Sequence, residues 1–266
     1  MPDIAPYPAR ATSSQLNRVP DVTITFWIVK VMATTVGETA ADFLNSTLNL
    51  GLSGTSVVMS GMLVLALSMQ LRARRYVPSL YWLVVVLISV VGTLISDNLV
   101  DNLGVSLVTS TLLFGAALAL VFTAWFSVER TLSVHTIFTV RREGFYWAAI
   151  LCTFALGTSA GDLLAERLAL GYALSAMLFA AVIGLTYWTY RLGANPILTF
   201  WIAYIVTRPL GASTGDLLSQ PASAGGLALG TVGTSMLFLA TILGLVIYMT
   251  GIQRRTAPSV LRAVED

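Results

Sequence analysis

The sequence predicts an all-α integral membrane protein of eight transmembrane helices, built as four parallel two-helix repeats with the odd-numbered helices central. Three observations carry that expectation. The 266 residues are 56% hydrophobic and only 11% charged, and mean hydropathy is +0.80, which is the composition of a membrane protein. Eight apolar stretches approach the ~20 residues that span a bilayer core as helix. An aromatic–Trp pair recurs four times, with Gly ten residues and Asp fifteen residues after each Trp. The four sets are Phe26-Trp27/Gly37/Asp42, Tyr81-Trp82/Gly92/Asp97, Tyr146-Trp147/Gly157/Asp162 and Phe200-Trp201/Gly211/Asp216, and each Asp is followed two positions later by Leu. Ungapped recurrence of this kind marks an internal repeat.

The elements follow in order. Residues 1–22 carry Pro2, Pro6, Pro8 and Ser13-Ser14 without an apolar stretch, so they read as a cytoplasmic tail and not a signal peptide. Repeat 1 occupies 23–76, with spans over 24–48 and 55–71. Repeat 2 occupies 77–143, with spans over 79–100 and 105–126 and a cytoplasmic loop, Ser127–Glu143. Repeat 3 occupies 144–195 (spans 145–165 and 170–190), and repeat 4 occupies 196–253 (spans 197–219 and 227–251) with an insertion at 221–226. Residues 254–266 form a second tail. The spans pair as hairpins through Gly-containing turns at Leu50-Gly51, Leu103-Gly104 and Leu170-Gly171.

Twelve arginines fall on the Trp side: Arg10, Arg18, Arg72, Arg74, Arg75, Arg130, Arg141, Arg142, Arg191, Arg254, Arg255 and Arg262. Only Arg167 lies near the opposite turns. The positive-inside rule then places both termini in the cytoplasm, and the six Trp, including Trp125 and Trp188, read as an interfacial belt. The single Cys152 forms no internal disulfide. His135, beside Arg141, Arg142 and Glu143, reads as a loop contact.

The chemistry lies in the first helix of each repeat. Seven of the thirteen acidic residues are there: Glu38, Asp42, Asp97, Asp101, Asp162, Glu166 and Asp216. Glu38/Asp42, Asp97/Asp101 and Asp162/Glu166 are four apart, so each pair is expected on one helix face, and Gln220 takes the partner position in repeat 4. Fifteen residues past an interfacial Trp is ~22 Å along a helix, in the outer half of the bilayer. An unpartnered charge at the bilayer centre costs roughly 2.5–3.5 kcal/mol on insertion scales, so these acids need protons, basic partners or bound cations. Lys30 and Arg208 are the only basic residues within the spans, and Lys30, three residues from its Trp, is expected to snorkel to the cytoplasmic face. Capping of helix ends at the outer water interface remains the alternative, most of all for Asp101 and Glu166.

Gly37/Ala41, Gly92/Ser96, Gly157/Gly161 and Gly211/Gly215 are Gly-xxx-small pairs of the kind that lets membrane helices approach closely. Hydroxyls (Thr34, Thr35, Thr39, Ser89, Thr93, Thr158, Ser159, Ser213, Thr214) continue a polar stripe that would serve a cation path. Arg208-Pro209 departs from the repeat, with Arg208 expected to compensate charge or gate, and Pro209 expected to kink its helix. Oxygen donors without Cys or His suit Mn²⁺, Mg²⁺ or Ca²⁺ over Cu⁺ or Zn²⁺. No P-loop, nucleophile elbow or HExxH is present, the basic loops are too short for nucleic acid, and no enzyme constellation is visible.

The stretches Val36-Gly37-Glu38-Thr39-Ala40-Ala41-Asp42 and Arg141-Arg142-Glu143-Gly144-Phe145-Tyr146-Trp147, with the leading aromatic–Trp pair, resemble a bacterial family of membrane-anchored proteins built of four tandem two-helix repeats, a repeat domain of unknown function. The resemblance covers residues 23–252 and implies eight spans in the bacterial inner membrane. It implies no activity. From the carboxylates the expectation is a secondary transporter, an exporter, of a divalent cation such as Mn²⁺ coupled to protons, with lipid, metal cation and protons as partners. A cation channel with an Asp ring and a non-transporting membrane scaffold stay open beside it.

Overall fold

The computed structural model describes residues 17–47, 51–73 and 75–262. Most of the expected N-terminal tail, Arg10, Leu50, Arg74 and the last four residues lie outside that description, as do the side chains of Arg254, Arg255 and Arg262. The described chain is all-α: α1 (Ile24–Asp42), α2 (Gly51–Arg72), α3 (Pro78–Asp97), α4 (Leu107–Glu129), α5 (Val140–Asp162), α6 (Gly171–Arg191), α7 (Pro196–Ser219) and α8 (Gly230–Arg262). Among the described residues there is no strand. Helices α2, α3, α4, α5, α6 and α8 are long and apolar enough to cross a membrane.

Helix starts are set by local chemistry. Thr23, Ser106, Thr139 and Asn195 accept bonds from backbone N–H groups of the first turns of α1, α4, α5 and α7. Pro78 and Pro196 occupy first-turn positions, where a missing N–H costs nothing. Gly51, Gly104, Gly171 and Gly230 take positive φ at the turns that lead into the second helices, where a side chain would be strained.

The odd-numbered helices form the core. Each packs on two others, in the cyclic order α1, α3, α5, α7 and back to α1. Four outer helices surround them, with a shift that the hairpin expectation missed. The outer helix of each repeat packs mainly on the inner helix of the next: α2 on α3, α4 on α5, α6 on α7, and α8 back on α1. The repeats are therefore interlocked around a closed ring, not stacked as independent hairpins.

The close approaches repeat in the same cyclic order. A methyl added at Gly37 would overlap Ser89, at Gly92 Phe154, at Gly157 Arg208, and at Gly211 Thr34. Each of those four neighbours lies seven residues after its own Trp. The glycines thus do the close-packing work expected of them, which matters because apolar burial gives little drive between helices already in lipid. Hydroxyl bridges add to it. Ser159 Oγ bonds Ser96 Oγ at 2.7 Å and Ser110 Oγ at 2.6 Å, and Thr39 Oγ1 bonds Ser235 Oγ at 2.6 Å.

One end of the bundle is closed by aromatics. Trp82, Trp125, Trp147 and Trp201 are all buried, which corrects the interfacial-belt expectation for these four, whereas Trp188 is exposed. They interlock with Phe26, Tyr81, Tyr146 and Tyr204 at ring separations such as 5.3 Å for Tyr81–Trp147 and 5.7 Å for Trp201–Tyr204. A belt ring needs only an amphipathic position, but these rings contact one another across the inner helices. The described end of the N-terminal tail closes over the same end. Asn17 and Val19 are buried, and Arg18 pairs with the fully buried Glu143 at 2.9 Å.

Candidate functional site

Three layers of polar side chains occupy the centre of the ring below the aromatic end. Lys30 is in the first. It is fully buried, donates to Thr207 Oγ1 at 3.0 Å, and sits 4.3 Å from the Tyr204 ring centroid and 4.6 Å from that of Phe154. The expectation that it snorkels to the surface is overturned. One turn past its Trp, the stem points into the bundle, where two ring faces and a hydroxyl take the place of water.

Arg208 holds the second layer and is also fully buried. It reaches all three other inner helices: Nη1 donates to Thr34 O at 3.2 Å, and Nη2 to Thr158 Oγ1 and Glu38 Oε2, each at 2.9 Å, and to Thr93 Oγ1. Helix α7 continues through Pro209, whose ring lies against Gly157 and Gly161. The guanidinium and the Glu38 carboxylate form a buried ion pair with further oxygen acceptors, the arrangement that makes such a pair tolerable in a low-dielectric interior.

The third layer is acidic. Glu38, Asp162 and Asp216 each present a carboxylate oxygen, and these oxygens all lie within 4.8 Å of one another. Asp216 is only 8% exposed, and neither its carboxylate nor that of Asp162 has a hydrogen-bond or ion-pair partner among the described residues. Three carboxylates thus converge beside one guanidinium.

The remaining expected ligands are dispersed around that trio. Asp42 and Asp97 are half-buried and within electrostatic reach of Glu38. Asp101 and Glu166 are exposed. The helix type changes directly after three of the four motif Asp residues: Phe43–Thr47, Asn98–Asn102 and Leu163–Arg167 are π-turns. Asp101 and Glu166 lie in these turns, Asp101 within electrostatic reach of Asp97, and Glu166 within reach of Asp162, Glu38 and Asp216. Gln220 ends α7 in an extended conformation. The hydroxyl stripe is largely consumed by packing: Thr34, Thr35 and Thr39 bond carbonyls, and Ser159 bridges α3, α4 and α5. Lys30 and Arg208 are both fully buried at the centre of the described bundle.

Sequence reasoning missed a second buried polar cluster at the aromatic end. Glu143 accepts from Arg18 and from Gln70 Nε2, both at 2.9 Å, and from Trp147 Nε1 at 3.3 Å. Glu143 sits one turn before Trp147, the signal that could have shown both facing inward.

No curated protein matches the chain, and no solved structure matches it. A family described as "Repeat of Unknown Function (DUF347)" matches four times, over residues 25–76, 80–131, 145–193 and 199–255. These matches coincide with the four Trp–Gly–Asp copies and cover most of the chain, so the protein belongs to the DUF347 repeat family.

Proposed function

We propose that the protein is a secondary transporter of a divalent metal cation such as Mn²⁺, exchanged against protons at a site formed by Glu38, Asp162 and Asp216. The observation that carries this reading is the convergence of three carboxylate oxygens within 4.8 Å in the bundle interior, two of the carboxylates lacking a protein partner. Three oxygens within 4.8 Å of one another stand at most about 2.8 Å from a common centre, against roughly 2.3–2.6 Å for Ca²⁺–O and about 2.0–2.1 Å for Mg²⁺–O, so a small contraction seats Ca²⁺ and a larger one Mg²⁺. When all are ionised, three carboxylates and the Arg208 guanidinium leave two negative charges, which one divalent ion cancels. Asp42 and Asp97 stand close enough to share in proton exchange and in the approach of the ion.

In this reading the chain crosses a bacterial inner membrane eight times, all repeats run in one direction, and the Arg-rich aromatic end faces the cytoplasm. Helices α1 and α7, the least apolar of the eight, are enclosed on several sides by other helices, so they need little lipid-compatible surface. The recurrent Gly contacts at equal distance from each Trp favour one common direction. The described conformation then has its aromatic end shut and its acidic end nearer solvent, as an outward-facing state of an exporter would. A channel is the weaker reading, because Arg208, Glu38 and Lys30 fill the centre.

Purified protein in liposomes with an internal pH dye tests this. An imposed Mn²⁺ gradient should drive proton movement, Asp216→Asn should abolish it, and Asp101→Asn and Glu166→Gln should retain most of it. No divalent-dependent proton flux, or an unimpaired Asp216→Asn, would end the proposal. A linear current without proton movement would favour a channel.

A further inference from the structure

The acidic trio is not balanced by a mobile group. Arg208 is fixed by bonds to Thr34 O, Thr93, Thr158 and Glu38, which belong to the three other inner helices. Its side chain is fully buried and lies directly against Gly157, where even an added methyl would overlap it. Unlike a lysine on a flexible stem, this planar fork has its geometry determined by several acceptors at once. It also breaks the repeat: the corresponding positions of the other copies are Thr34, Ser89 and Phe154, none of which carries charge.

We propose that Arg208 is the valence-determining residue of the site: a permanent internal cation that lowers the charge offered by Glu38, Asp162 and Asp216 from three to two and so matches the site to divalent rather than trivalent ions. This rests on the cation-binding reading above. The second support is Asp216, more than nine-tenths buried, without a partner, and aimed at the oxygens of the other two acids. Arg208 holds Glu38 by one oxygen, Oε2. A carboxylate so held stays in place and retains lone pairs for an ion on its other side. The role is one of specificity, exerted through Glu38, and Arg208 itself touches no ion. Charge matching of this sort acts strongly because the interior screens poorly.

Ca²⁺ and Tb³⁺ test the proposal, since they share hard oxygen chemistry and differ in charge. Affinities are measured on purified full-length protein by calorimetry, with Tb³⁺ luminescence as a second readout. In Arg208→Gln the preference for Tb³⁺ over Ca²⁺ should rise by at least about tenfold relative to wild type. The Glu38→Gln/Arg208→Gln pair, which restores the difference of two charges, should return the preference close to wild type although a ligand has been lost. Arg208→Lys should stay near wild type. An unchanged Tb³⁺/Ca²⁺ ratio in Arg208→Gln, with both ions binding equally tighter or weaker, overturns the assignment. If Arg208→Gln does not fold, the double variant decides, because a ratio well below wild type there also overturns it. Wild-type protein that binds neither ion refutes the transport reading itself, which is a distinct outcome.

Discussion

Substituting Glu38 by Gln isolates the charge of the central ion pair while conserving its shape. The Arg208 guanidinium would remain fully buried, bonded to Thr34 O, Thr93 and Thr158, and would face an amide where a carboxylate stood at 2.9 Å. Charge centres about 4 Å apart interact by about 4 kcal/mol at an effective dielectric near 20. Breaking a buried pair by removing one partner costs about 3–5 kcal/mol in measured cases. Because Gln retains an oxygen acceptor and the neutral acceptors still hold the fork, the lower end, about 3 kcal/mol, is expected. Arg208→Gln alone should cost a similar amount, since Glu38 would then face Asp162 and Asp216 without compensation. The double variant removes both charges and should recover much of the loss, giving a coupling of about 2–3 kcal/mol. Unfolding in mixed micelles on addition of SDS, followed by fluorescence of the buried Trp82, Trp125, Trp147 and Trp201, supplies the four stabilities. A coupling under about 0.5 kcal/mol would mean the two groups act independently and would refute the central ion pair as a structural unit.

Two further outcomes are expected. Gly37→Ala and Gly211→Ala each drive a methyl into a hydroxyl side chain and adjacent backbone of the neighbouring inner helix, so each should destabilise by about 1–3 kcal/mol, whereas Gly61→Ala, which meets open space, should be neutral within about 0.5 kcal/mol in the same unfolding assay. Burial raises the pKa of Tyr76, in the turn between α2 and α3, so the folded state resists its ionisation. Stability from that group is intact below the ordinary tyrosine value of about 10 and declines as pH rises past it. Tyr76→Phe should make the alkaline decline shallower in a pH series of thermal melts, and an unchanged slope would remove that role.

Much of the bundle was legible because membrane helices advertise length, and because the Trp–Gly–Asp spacing tolerates no gap. The inner position of the odd helices followed from where the acids are, and the close approach at Gly37, Gly92, Gly157 and Gly211 followed from side-chain size. What escaped was anything that depends on which helix meets which. The offset that seats α2 on α3 and α8 on α1 is a matter of ring closure, and local pattern carries no trace of it. The depth of Lys30 was misjudged for the same reason: a stem near an interfacial Trp snorkels only when its face points outward, and this one faces Phe154 and Tyr204. The exposure of Asp101 and Glu166 was hidden as well, because four-residue spacing says nothing of the π-turns at which the inner helices end. Glu143 was passed over as a loop residue because its partners, Arg18 and Gln70, are distant in sequence.

The repeat explains the scaffold better than it explains the site. Positions shared by all four copies, the Trp, the Gly and the Asp, build the aromatic end, the helix contacts and a common acidic level. The charged residues that join those shared Asp at the centre are ones that differ among copies. Three, seven and eleven residues after the Trp, the copies read Lys30, Val85, Ile150, Tyr204; Thr34, Ser89, Phe154, Arg208; and Glu38, Thr93, Thr158, Ala212. Each of these three sets holds one charged residue, and it comes from repeat 1 or repeat 4, the two that meet where the ring closes. A symmetric ring of like charges on one axis would repel itself in a poorly screening interior; a single Arg against a single Glu, flanked by hydroxyls from the other two repeats, does not. The same asymmetry leaves Asp162 and Asp216 beside Glu38 as the converging pair while Asp42 and Asp97 stand apart from that trio. Exchanging Glu38 and Thr93 between their layer positions would therefore displace Arg208's carboxylate partner to α3 without changing composition, and so separate the contribution of the repeat from that of its departures.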